Sequence, residues 1–86
     1  MAAFHMDSAI SQTLTRAVTA VGVLTCTKTS AHDVYANAYW VTPGAVHQFT
    51  IHQGDSISVP AQSTLTIWIF RKQAGQSTWT ADFDLS

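Results

Sequence analysis

Charge is what this sequence has least of. Lys and Arg number four and Asp and Glu five in 86 residues, so charged residues make up 10% of the chain, against about 25% in an ordinary globular domain. The net charge of −1 offers no basic footprint to a phosphate backbone, which argues against a nucleic-acid partner. Cysteine is nearly absent. Cys26 is alone, so no intramolecular disulfide is possible and a zinc cluster of several thiolates is excluded. The four glycines are dispersed and build no phosphate-cradling loop. No apolar run approaches the ~20 residues of a membrane-spanning helix; the strongest, Leu65 to Phe70, is interrupted by Thr66. Met1 to Ile10 lacks a basic segment followed by an apolar one, so no secretory signal peptide is visible.

What is present is apolar and hydroxylic. Apolar residues are 47% of the chain, too many for a disordered segment. Serine and threonine supply much of the polar surface, as suits exposed strands. The length predicts a single domain over residues 1–86, with residues 1–8 as a loose N-terminal segment. So short a chain buries only ~60–65% of its unfolded surface. With no disulfide or metal cluster to support it, subunit association is the remaining common device.

Strand periodicity is clearest at the C-terminus. Trp79, Ala81, Phe83 and Leu85 alternate with Thr78, Thr80, Asp82 and Asp84, the pattern of a half-buried strand with the two aspartates on the wet face. In Ser63 to Lys72, Leu65, Ile67 and Ile69 oppose Thr64, Thr66, Trp68 and Phe70, which predicts burial on both sides from Trp68 to Phe70. Residues 73–76 then read as the turn of a hairpin to the last strand. Further strands are expected at Ala20 to Thr29, with Gly22 as a weak point or bulge, and at Val34 to Val41, Val46 to Gln53 and Ser56 to Val59. Pro43-Gly44 and Gly54-Asp55 mark turns, and Pro60 ends a strand. Residues 9–19 are ambiguous. Ile10, Leu14, Ala17, Val18 and Val21 have helical spacing, yet Thr13, Thr15 and Thr19 are poor helix formers, and strand is the preferred reading. The expected fold is therefore all-β, with at most one short N-terminal helix: a small antiparallel sandwich or barrel of five to six strands.

No catalytic or metal constellation emerges, so no enzyme and no cofactor is expected. His47 and His52 are five apart on one strand and leave opposite faces. His32-Asp33 and His52 with Asp55 are the better local pairs, but zinc needs three or four converging ligands. Cys26 sits in an apolar stretch with only Lys28 as a cationic neighbour, and reads as a buried thiol. Asp82 and Asp84 lack the further oxygens that calcium requires.

Aromatic side chains are the informative excess. Tyr35, Tyr39, Trp40, Trp68 and Phe70 are the candidate interface or ligand-binding residues, because rings among small polar groups stack on sugars or anchor protein contacts. The leading expectation is a non-catalytic structural subunit. It would associate as a homo-oligomer or within a larger assembly, such as a decoration or tail-associated component at a virion or other extracellular surface. The alternative is a lectin-like carbohydrate-binding module, with Tyr35, Tyr39, Trp40 or Trp68 as a stacking surface beside Asn37, Asp33 or Gln48 and a glycan as partner. A third is a small metal-dependent enzyme using His32, His47 or His52.

Overall fold

The computed structural model describes residues 2–73 and 78–86. It is all-β. Eight strands follow in order: β1 (Ala2–Asp7), β2 (Thr13–Val18), β3 (Gly22–Thr29), β4 (Val34–Thr42), β5 (Ala45–Ile51), β6 (Ser56–Val59), β7 (Ser63–Arg71) and β8 (Thr80–Leu85). They form two four-stranded sheets, ordered β1-β8-β3-β6 and β2-β7-β4-β5. Every pairing is antiparallel.

The two additional strands come from the N-terminal third. Residues 2–7 are strand β1, paired along β8 from Ala2↔Leu85 to Asp7↔Thr80. Residues 13–18 are strand rather than helix, and the apolar positions with helical spacing explain why. Ile10 and Val21 are 86% and 75% exposed, so no helical stripe is buried. Alternation prevails instead, with Leu14 and Val18 facing inward and Thr13, Thr15 and Ala17 outward.

Among the described residues, only β4 and β5 are consecutive neighbours in one sheet. Pro43-Gly44 makes the two-residue connection that brings Thr42 opposite Ala45. The hairpin expected between β7 and β8 does not exist, because β7 pairs with β2 and β4 while β8 pairs with β1 and β3. Its turn falls partly on residues 74–77, outside the described residues. The bulge foreseen near Gly22 lies further along β3, where the register with β8 shifts between Cys26 and Lys28.

The inward faces of both sheets contribute to one core. Leu24, Cys26, Val59 and Phe83 come from one sheet; Ala36, Ile51, Leu65 and Ile67 come from the other. At the β1/β2 border the Arg16 guanidinium lies over the Phe4 ring, 4.5 Å from its centroid, and Phe4 in turn stacks on Phe83 at 5.4 Å. A cation thus roofs this end of the core through its attraction to a ring face. Arg71 at the end of β7 is paired with Asp33 at the start of β4, with both side chains largely withdrawn from water.

Candidate functional site

The outward face of the β2-β7-β4-β5 sheet collects most of the aromatic residues singled out by sequence. The register places them in rows. Thr13, Trp68, Asn37 and Thr50 lie across one row, and Thr15, Thr66, Tyr39 and Gln48 across the next. Ala17, Thr64, Val41 and Val46 follow, while Phe70 and Tyr35 begin the row on the other side. None of these positions carries a charge. Trp68, Tyr39, Val41 and Val46 are exposed large apolar side chains.

The strand alternation foreseen for β7 is present, but burial on both sides is not. Ile67 is fully buried and Trp68 is 54% exposed, because nothing among the described residues covers the outer face there. Phe70 is half-buried and meets its neighbours edge-on. Its ring centroid is 4.3 Å from that of Tyr35 and 5.9 Å from that of Trp68. Tyr35 also stacks on His52 at 5.6 Å, and the Lys72 ammonium lies 5.7 Å from the Tyr35 centroid. Tyr35, Tyr39, Trp68 and Phe70 thus share one surface. Trp40 does not. It belongs to the opposite parity of β4, packs against the core, and stacks on His47 at 5.6 Å.

A concavity of about 380 Å³ opens on this face, bordered by Trp68, Asn37, Tyr39, Gln48 and Thr50. Thr50 Oγ1 donates to Asn37 Oδ1 at 2.9 Å, so the oxygen of the Asn37 amide is the atom engaged across to β5. Thr15 and Thr66 hydroxyls meet at 3.3 Å. The lining therefore combines a ring face with neutral donors and acceptors. Asn37 and Gln48, chosen from the sequence as polar neighbours of the rings, lie here, whereas Asp33 is held by Arg71; Thr50 was not chosen, and only its parity with Asn37 and Trp68 across the sheet identifies it.

The outward face of the other sheet is different in chemistry. A shallow depression of about 630 Å³ is lined by His5, Thr25, Thr27, Asp82 and Asp84 among others. His5 Nδ1 is hydrogen-bonded to Asp82, and Thr25 Oγ1 to Ser56 Oγ at 2.8 Å. The four histidines do not gather in one place, although His32 and His52 border a common depression with Thr29 and Gln53. His5 is held on β1, His47 lies between Trp40 and Phe49, and His52 stands 3.5 Å from Asp55 beyond β5. Asp33 faces Arg71 instead of forming a site with His32. Among the described residues no three His, Cys, Asp or Glu side chains are grouped to hold a metal ion. No helix of the described residues is long and apolar enough to cross a membrane.

Among the described residues two groups have displaced protonation equilibria, and neither forms part of a reactive pair. Burial pushes the Cys26 thiol up to about 11; the backbone hydrogen bond to Lys28 opposes this, and Asp55 and Asp82 reinforce it. The hydrogen bond from Arg71 holds the Asp33 carboxyl below its ordinary 3.8.

No family model, curated protein or solved structure matches this chain.

Proposed function

We propose that this chain is a non-catalytic β-sandwich module that self-associates through the outer face of its β2-β7-β4-β5 sheet. The observation carrying the proposal is that face: a surface on which Trp68, Tyr39, Val41 and Val46 stand exposed, with Lys72 only at its Tyr35 end. Aromatic anchors ringed by neutral polar groups are the composition of a protein–protein contact, where burial of rings supplies most of the binding energy. A domain this small has a thin core and gains from a partner subunit.

The orders β1-β8-β3-β6 and β2-β7-β4-β5 are consistent with a double-sheet jelly roll, an architecture found in viral capsid and lectin domains. It is compatible with a place in a virion or another extracellular assembly, and this step is analogy of fold rather than a property of the site. The test is the mass in solution from micromolar to millimolar concentration, for the parent chain and for Trp68→Glu. Association that the substitution abolishes supports the proposal. A parent chain that stays monomeric throughout overturns it.

The concavity beside Trp68 favours a second reading, a saccharide-binding module. The Trp68 ring can stack on a pyranose face while Asn37, Gln48 and Thr50 hydrogen-bond its hydroxyls. Tryptophan fluorescence unchanged across a broad glycan panel removes this reading.

A further inference from the structure

We propose that two copies of this chain pair along β5, edge to edge and antiparallel, so that the two β2-β7-β4-β5 sheets become one continuous sheet. This contact uses the β5 edge rather than the outer face of the sheet, and so goes beyond association through that face.

An unpaired strand edge offers a row of free N–H and C=O groups, and proteins that do not use such edges block them. Three of the four edges here carry a block. β1 bears Asp7, and its His5 is tied to Asp82. β2 bears Arg16, whose charged head is turned onto Phe4 at the sheet border. β6 has only four residues and ends at Pro60. β5 runs for seven residues, Ala45–Ile51, with no Asp, Glu, Lys, Arg or Pro and no shift in its register with β4.

The direction of the free groups follows from the ladder. The Ile69 N–H donates to the Gln12 carbonyl at 2.9 Å, so Ile69 faces β2, and alternation turns Trp68 and Thr66 toward β4. Their partners Asn37 and Tyr39 face β7, which turns Ala38 and Trp40 toward Phe49 and His47 on β5. Val46, Gln48 and Thr50 are left with their backbone groups pointing away from the sheet. The next outward N–H, that of His52, is already taken by the Asp55 carboxylate at 2.8 Å. The open stretch is therefore short and has a defined end.

That stretch is self-complementary. A two-fold axis at Gln48 sets Gln48 against Gln48 of the second copy, and Val46 against Thr50 in both directions. Each such pair exchanges both backbone bonds. No like charges meet, and on the inward side His47 falls opposite Phe49. The two concavities beside Trp68 come to lie on the same face of the extended sheet.

Amide hydrogen exchange of the full chain, resolved by residue at low and high concentration, tests this directly. The amides of Val46, Gln48 and Thr50 are expected to slow at least tenfold at concentrations where light scattering shows a dimer. Gln48→Pro, which removes an outward N–H, is expected to restore the monomer mass. Gln48→Lys, which sets like charges across the axis, should weaken the dimer most at low salt and guards against a proline variant that fails to fold. A dimer in which those three amides exchange at the monomer rate overturns edge pairing and leaves face-to-face association standing. A monomer at every concentration overturns both. Slowing of those amides only when a different protein is added overturns self-pairing.

Discussion

Arg71 Nε donates to both carboxylate oxygens of Asp33, at 2.9 and 2.8 Å, and so ties the end of β7 to the start of β4. The charge-assisted contact favours the ionised carboxyl, whose folded pKa lies below 3.8. Its stabilisation is present above the unfolded value and is lost as pH falls through the folded one. Asp33→Asn is expected to lower the urea midpoint at pH 7. The difference from the parent should shrink in strong acid. Equal midpoints at pH 7 would show that the pair contributes nothing to stability.

Ile67 and Trp68 are chain neighbours on opposite faces of β7, and their substitutions should separate folding from association. Ile67→Ala is expected to cost about 2–5 kcal/mol, because the side chain is fully buried. Trp68→Ala should change stability by only about 0.5–1 kcal/mol while weakening self-association. Denaturation and light scattering on both variants check this. A Trp68 variant as unstable as the Ile67 variant would make the ring part of the core.

Gly54 and Gln62 both have positive φ, 90° and 57°, and should respond oppositely to substitution. Gly54→Ala meets no atom within 4 Å, so its cost is the backbone alone, about 1–2 kcal/mol. Gln62→Gly removes a similar strain, offset by ~0.5–1 kcal/mol of chain entropy, and should be neutral to slightly stabilising. Thermal melts of the two variants check the signs.

Cys26 should be silent toward thiol reagents until the domain opens. It is buried, and its thiol is raised from 9.0 to about 11. At pH 8 modification is expected to follow the urea unfolding curve. Because the folded state keeps the proton longer, Cys26 also makes stability fall as pH rises from 9 toward 11. Rapid labelling in native buffer would contradict the burial.

The alternation of Phe83 and Leu85 with Asp82 and Asp84, and of Leu65 and Ile67 with Thr66 and Trp68, made β8 and β7 legible, since a period of two needs no tertiary information. Partner choice was not legible. A Gly-containing link between two strands reads as a hairpin, yet β7 and β8 enter different sheets, and only long-range packing decides that. Ala2–Asp7 gave no sign of β1, because Ala2 and Ala3 carry no strong propensity and the strand is held by its ladder with β8. The aromatic site was half legible. Ring types and parity pointed to Tyr39 and Trp68 beside Asn37 and Gln48, but assigning Trp40 to the other face and adding Thr50 required the register.

The place of β8 in its sheet has a consequence for biosynthesis. Residues 80–85 lie between β1 and β3, so strands made early flank a slot that only the last strand fills. A nascent chain cannot complete that sheet while those residues are still inside the ribosome, and Met6, Leu24 and Phe4 lack their cover until then. Maturation therefore waits for release of this segment and proceeds through non-local pairing, the slow route among small domains. During that interval the facing edges of β1 and β3 are unpaired strand edges, the kind of surface that exposes an incomplete fold to aggregation.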